Sequence, residues 1–326
     1  PLHQLSKNLL SKKSHLYKPD ISYRMQSGWN GSGSLLNGEN HPNGVIINYF
    51  IKNVNNEDFI KIEIFDQEGS LIKSYTNNKK KLLSSSVKPV SSNSNDIDYA
   101  LAGNNIKSLD PISGGNRLVW DMRYPGYKTF EGMVFYSSPN VGPKAIPGKY
   151  KVRLTYNEEI SEEEFEVIKD PRLTNSKEDF TNQFNFLINV RNEVSKANQA
   201  IIDIRNIRKD LKYIISKDIK DPKIDSLIDE FLKKLHVIEN NIHMTKNQSR
   251  QDPLNYGIRI NNRLAFLMAD SQRGDYPPTD QSLEFFEEIK KELNVELNNL
   301  KMVSEEYTNS INSLITDSRI KFIGEE

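Results

Sequence analysis

Apolar residues follow two different periods in the two halves of this chain. Val45–Ile51 is a continuous run of β-branched and aromatic residues, and Phe59–Phe65 alternates apolar with polar residues, which is typical of a strand with one buried face. Further strands are predicted at 71–75, 118–120, 150–156 and 164–168. Short strands separated by turns predict an antiparallel β-sandwich over residues 44–172.

After residue 175 the apolar spacing changes to three or four residues. The positions from Phe180 to Ile214 predict one long helix, and Ser176 with Asp179 resembles a capping box at its start. A second helix is predicted from Asp221-Pro222, a third over 254–268 and a fourth after the turn at 274–279. Four amphipathic helices with short links predict an antiparallel bundle over 176–318, so the fold class is multi-domain α+β.

Residues 1–43 carry turn chemistry and few periodic apolar positions. We predict an irregular segment that links the sandwich to a domain upstream. Trp29 lies in a Gly/Ser-rich part of it, where the ring would either fold over the sheet or be exposed for a ligand or partner. Residues 76–98 are polar and of low complexity, and they predict a long loop of open role.

Composition narrows the function classes. The 326 residues contain 44 basic and 44 acidic side chains, so net charge gives no reason to expect nucleic acid or an anionic membrane as partner. The chain has no cysteine, which excludes disulfides, thiolate catalysis and Cys-ligated zinc. No apolar run reaches the ~18 residues of a membrane span. We predict no cofactor.

The stretch from Gly114 to Arg172 organises the chain. Trp120 is predicted to point into the sandwich, and Asp121 and Arg123 share one face of an extended strand, where a salt bridge would brace the following loop. Structural roles are predicted for the turn and strand residues Gly148 and Tyr150 and for the Asp170, Arg172 pair.

The loop over 125–146 is unusually rich in apolar residues. These predict that the loop packs on something, either the helical half or another chain. The candidate binding residues are Trp29, Tyr124 just before the loop, and the aromatic loop residues Tyr127, Phe130, Phe135 and Tyr136. If two or three of the rings of Trp29, Tyr124, Tyr127 and Tyr136 were exposed and coplanar, they would stack on sugars, as in a carbohydrate-binding module.

Carboxylates and histidines offer weaker candidate chemistry. A hydrolase site built from Asp121, Glu131 and Asp170 would require two carboxylates ~5–10 Å apart in one cleft. His236, Glu239 and His243 lie on one helix face, but metal sites of bundles draw ligands from several helices. For these three we predict polar residues facing solvent, and we predict no metal site and no catalytic residue.

Several strings of residues resemble one family. Asn116–Gly126, Pro147–Leu154 and Asp170–Arg172 resemble the C-terminal region of exported bacterial BNR-repeat, sortilin-like proteins, which are often labelled glycosyl hydrolases. Residues 40–44, 261–265 and 274–281 fit the same resemblance, which covers nearly the whole chain. The Trp-Asp strand with Pro-Gly-Lys-Tyr is also similar to the Ig-like domain of flagellar hook-capping proteins.

The resemblance implies an extracytoplasmic location and a β-propeller upstream of this region, so that the chain would be a piece of something longer. It implies a non-catalytic accessory or scaffold role, with the propeller or another exported protein as partner. Two alternatives stay open: a carbohydrate-binding module, or a glycoside hydrolase whose catalytic part lies in the propeller.

Overall fold

A computed structural model describes residues 2–6, 9, 11–25, 41–78, 106–217 and 221–315. Trp29 and most of the 76–98 segment lie outside these residues. In the described part, a β-rich region precedes the helices, so the chain is mixed α and β. No described helix combines the length and the apolar character that crossing a membrane requires.

Nine strands in the described residues form two sheets. Their bounds are β1 Ser14–Leu16, β2 Ser22–Arg24, β3 Val45–Ile51, β4 Ile60–Phe65, β5 Leu71–Thr76, β6 Ile106–Ser108, β7 Gly114–Trp120, β8 Gly148–Tyr156 and β9 Glu159–Lys169. One sheet is antiparallel with the order β1-β3-β7. The other has the order β2-β9-β8-β4-β5-β6, and its outer strands β2 and β6 pair parallel to their neighbours.

Alternation along β3 shows how the core is filled. Val45, Ile47, Tyr49 and Ile51 are buried, and the residues between them are only half-buried. They belong to one apolar cluster to which both sheets contribute. Trp120 is fully buried in this cluster. The cluster therefore joins the two sheets through their apolar faces.

Five helices follow the strands in the described residues. They are α1 Lys177–Ile215, α2 Pro222–Ile242, α3 Asp252–Tyr256, α4 Ile260–Asp270 and α5 Asp280–Leu314. The third predicted helix is split into α3 and α4. Gly257 ends α3 with φ +82 and donates its N–H to the Pro253 carbonyl. A left-handed Gly after the last turn is a common helix stop.

The predicted helix starts are confirmed in detail. The main-chain N–H of Asp179 donates to Ser176 Oγ at 3.1 Å, and the N–H of Ser176 donates to the Asp179 carboxylate at 2.8 Å. These reciprocal bonds form the expected capping box of α1. Asp221 caps α2 by accepting a hydrogen bond from the N–H of Lys223.

The contacts divide the chain into two compact units whose bounds differ from the predicted domains. The β unit comprises residues 1–126, 140–188 and 272–277, and the helical unit comprises 127–139, 189–271 and 278–326. The N-terminal segment is not merely a link, because β1 and β2 lie within it and pair with β3 and β9. Residues 127–139 belong to the helical unit.

Candidate functional site

The β unit contains a polar cavity of about 610 Å³. The described residues that line it come from distant parts of the sequence: Arg24, Asn43, Arg123, Lys144, Gln183, Leu187, Gln272, Arg273, Gly274 and Asp275. Four of these side chains are basic and one is acidic, which leaves a surplus of three positive charges on the described wall. This surplus distinguishes the cavity from the neutral chain as a whole.

Arg24 ends β2 and is the most deeply buried of these cations. Its side chain is 4% exposed and forms an ion pair with Asp275, whose side chain is 10% exposed. Its Nε donates to the Ala145 carbonyl at 2.8 Å, and its guanidinium carbon lies 4.9 Å from the ring centroid of Phe180. A buried arginine held on several sides has little freedom to move.

Arg123 and Lys144 lie opposite each other across an isolated antiparallel bridge. Met122, with φ +57, turns the chain between β7 and Arg123. Arg123 Nη1 donates to the Gly142 carbonyl at 2.8 Å and to Gln272 Oε1 at 2.9 Å. Lys144 Nζ donates to the Met25 carbonyl. These neutral oxygens position both cations without neutralising them.

The segment 272–277 supplies the acidic wall and is fixed by amide side chains. Asn175 Nδ2 donates to the Asp275 carbonyl at 2.6 Å, and Gln183 Nε2 donates to the Gly274 carbonyl at 2.8 Å. Gly274 adopts φ +105, a conformation that L side chains rarely adopt. The position of Asp275 beside Arg24 therefore follows from this turn and its two amide anchors.

Burial and the crowding of cations lower the pKa values of two of the lining side chains. Burial, followed by repulsion from Arg24 and Arg123, lowers the pKa of Lys144 to about 8, against the attraction of Asp275 and Asp121. Burial and the charge of Arg24 also lower the pKa of Arg123. The charged forms of Lys144 and Arg123 are therefore less favoured here than in water.

Asp121 does not brace the loop by the salt bridge predicted with Arg123. Its carboxylate pairs with Lys73 Nζ at 3.3 Å, and it accepts only the main-chain N–H of Arg123, at 3.1 Å. The guanidinium instead reaches the loop through the Gly142 carbonyl. The loop is therefore braced by Arg123, but through a neutral acceptor.

Asp170, the second aspartate proposed for hydrolysis, also has a basic partner. Asp170 pairs with Arg172 at 2.6 Å, and hydrogen bonds from the Arg172 side chain and main chain lower its pKa to about 2. Asp121 and Asp170 belong to the β unit and Glu131 to the helical unit. Each aspartate thus has a basic partner that explains it structurally.

Two further residues of the organising stretch have structural contacts in the β unit. Gly148 begins β8. Tyr150 is buried and donates its hydroxyl to the Ile146 carbonyl at 2.6 Å. Its ring lies 5.5 Å from that of Trp120, and Trp120 Nε1 donates to the Arg123 carbonyl at 3.3 Å. Trp120 therefore anchors the main chain next to the cavity.

Three of the five described candidate binding rings are interior. Tyr127, Phe130 and Phe135 are buried within the helical unit, and Tyr136 is half-buried there. Tyr124 is half-buried in the β unit, with its ring 4.8 Å from that of Phe184. Tyr127, Phe130 and Phe135 therefore do not offer the exposed platform that sugar stacking requires.

Residues 127–139 pack on helices of their own unit, one of the two predicted alternatives. Asn198 Nδ2 donates to the Lys128 carbonyl at 2.6 Å. Asn262 Oδ1 accepts the N–H of Tyr136 at 2.8 Å, and Asn262 Nδ2 donates to the Tyr136 carbonyl at 3.1 Å. Buried asparagines thus replace the main-chain partners that a strand would have supplied.

Of the three polar residues predicted to face solvent on α2 and at its end, only His236 is exposed. Glu239 is buried and pairs with Arg208 and with Arg205. His243 is buried, with its ring centroid 4.9 Å from that of Phe130. The solvent-facing prediction is therefore wrong for Glu239 and His243. No group of three His, Asp or Glu side chains within the described ranges is placed to hold a metal ion.

Sequence reasoning missed Arg24, Lys144 and Asp275. One signal pointed to Lys144, because it is the single charged residue in the apolar loop Val141-Gly-Pro-Lys-Ala-Ile-Pro-Gly148. No protein-family model matches the chain, and no curated protein is significantly similar to it. The cavity is therefore interpreted from its own chemistry.

Proposed function

We propose that this chain is a non-catalytic accessory region of a larger exported protein, and that it acts by binding a neighbouring domain or another exported protein. In this proposal the strands form an Ig-like sandwich and the helices an antiparallel bundle. Both assignments rest on the sequence pattern and on the resemblance to the C-terminal region of BNR-repeat, sortilin-like proteins.

The observation that carries the proposal is the basic cavity of the β unit. Arg24, Arg123 and Lys144 are held beside one another by carbonyl oxygens, and only Asp275 supplies a negative charge among the described lining residues. Bringing like charges together in a partly buried place costs stability. Such local costs are typical of sites that a ligand or partner completes.

Specific contacts bear on individual residues of the alternatives. Of the rings proposed to stack on sugars, Tyr127 is buried, which argues against a stacking role for that ring. The ion pairs of Asp121 with Lys73 and of Asp170 with Arg172 support structural roles for both aspartates.

Partner capture from envelope extracts of the source cells tests this function. The immobilised wild-type chain is compared with the double variant Arg123→Gln, Lys144→Gln and with Lys149→Gln, which removes one exposed charge from β8 of the same unit. We expect one stoichiometric partner on the wild type and on Lys149→Gln, and at least about tenfold less on the double variant.

Two results would contradict the proposal. The first is equal capture by all three proteins, which would remove the cavity from the binding function. The second is glycoside hydrolysis by the purified wild-type chain, with loss of this activity in Asp121→Asn or Asp170→Asn. Such activity would show that the chain is an enzyme.

A further inference from the structure

We propose that the basic cavity binds a small organic oxyanion, a hydroxylated molecule that carries one carboxylate or phosphate group. The carboxylate or phosphate would lie between Arg123 and Lys144, and the hydroxyl groups would face the amide side chains of the wall. This inference goes beyond the proposed function, because it places a small molecule in the cavity that the partner-capture experiment also tests.

Charge is the first reason. Asp275 is already paired with Arg24, so the negative charge on the described wall is committed to one cation. The positive charges of Arg123 and Lys144 are not offset in this way, because their described hydrogen bonds go to neutral oxygens. A bound anion would offset this surplus, and a cation or an apolar molecule would not.

Donor geometry is the second reason. A guanidinium has five N–H donors, and the described hydrogen bonds of Arg123 use only Nη1. Nε and Nη2 are therefore without a protein partner in the described part of the chain. Lys144 uses one of its three donors there, toward Met25. A planar guanidinium beside an ammonium is suited to carboxylate and phosphate oxygens.

Size and polarity define the rest of the ligand. A volume of about 610 Å³ is larger than a bare inorganic ion requires and is typical of sites for small organic ligands. Asn43, Gln183 and Gln272 line the cavity with amides, whereas Leu187 contributes an apolar side chain. Amide oxygens have two lone pairs and can accept a further hydrogen bond, so this wall favours hydroxyl groups over a hydrocarbon chain.

Isothermal titration calorimetry with three matched compounds tests the ligand class. Glycerol 3-phosphate, glycerate and glycerol share a hydroxylated skeleton and differ in the charged group, and they are titrated at pH 7 and constant ionic strength. We expect the phosphate or the carboxylate compound to bind and glycerol to give no binding heat. The stronger of the two charged compounds identifies the preferred group. Binding of neither up to about 10 mM, or equal binding of glycerol, would overturn the proposal.

Variants locate the binding in the cavity. Lys144→Gln is expected to weaken the charged compound by about tenfold, since it removes one charge-assisted hydrogen bond, and Lys149→Gln is expected to leave affinity unchanged. Circular dichroism checks folding, and Arg123→Gln, which removes the other cation of the proposed site, replaces Lys144→Gln if that variant does not fold. Wild-type affinity in a folded cavity variant would place the ligand elsewhere and overturn the proposal.

The two proposals fail in different ways. If no charged compound binds but partner capture still depends on Arg123 and Lys144, only the ligand class is wrong. If capture is also independent of these residues, the assignment of a binding function to the cavity is wrong as well.

Discussion

The imidazole Nδ1 of His243 lies 3.3 Å from the amide Nδ2 of Asn261 in the interior of the helical unit. An amide nitrogen only donates, so Nδ1 accepts and the imidazole is neutral, with its proton on Nε2. Asn261 in turn donates to Asn198 Oδ1 at 3.0 Å. The histidine is therefore one member of a buried polar network that requires its neutral form.

The stability of the helical unit should fall at mildly acidic pH. Burial, followed by the charge of Arg205, lowers the pKa of His243 from 6.5 to about 4. Its contribution is fully present above the unfolded pKa of about 6.5 and is lost as pH falls from there toward the folded value. We expect the free energy of unfolding in urea to drop by an amount on the order of 3 kcal/mol across this window.

Two variants isolate this effect. His243→Gln cannot titrate, so its unfolding free energy should lack this part of the pH dependence. His236→Gln changes an exposed histidine on the same helix and should keep it. An unchanged pH slope in His243→Gln would show that another group causes the acid sensitivity.

Asn262 should be a strong determinant of how residues 127–139 are held. Asn262→Ala leaves the N–H and C=O of Tyr136 without their partner, and we expect a loss of about 2–4 kcal/mol in the free energy of unfolding. Limited trypsin digestion should cut faster at Lys128 in the same segment. Asn294→Ala, at an exposed position of α5, serves as the control. Wild-type stability and digestion of Asn262→Ala would contradict this anchoring.

Trp120 should contribute more to the β unit than any surface residue. It is fully buried and meets the rings of Tyr150 and Phe165 edge-on, with centroids 5.5 and 6.0 Å away. We expect Trp120→Ala to reduce the free energy of unfolding by about 3–5 kcal/mol, and Ile112→Ala, at an exposed residue, to change it by about 0.5 kcal/mol or less. Similar losses for the two variants in urea titrations would contradict the assigned core.

Local patterns predicted the elements whose residues repeat over a long enough stretch. β3 and α1 were predictable because buried positions recur many times along them. β1 and β2, each only three residues long, lie in the segment that was predicted to be irregular, with only short extended pieces. β2 in addition owes its place to β9, whose paired residue Val167 lies far from Ser22 in the sequence. Pairings between such distant residues produce no periodic pattern in the sequence.

The cavity was less predictable than the fold. Arg24, Arg123, Lys144 and Asp275 come from four separate stretches, and no spacing rule brings them together. The aromatic residues of the loop after β7 were predicted to contact a ligand, although apolar side chains more often fill an interior. Asn261 and Asn262, near the start of α4, were a missed signal. Amides within an apolar pattern indicate buried polar contacts.

The protonation of Lys144 tests the central claim, an excess of positive charge in the cavity, most directly. NMR of side-chain-labelled lysine, followed from pH 6 to 11, should show Lys144 titrating at a pKa of about 8. Saturating glycerol 3-phosphate or glycerate should move that pKa upward, because a bound anion favours the charged ammonium. A Lys144 that titrates near the ordinary value of about 10.4, with no change on adding either compound, would contradict the account.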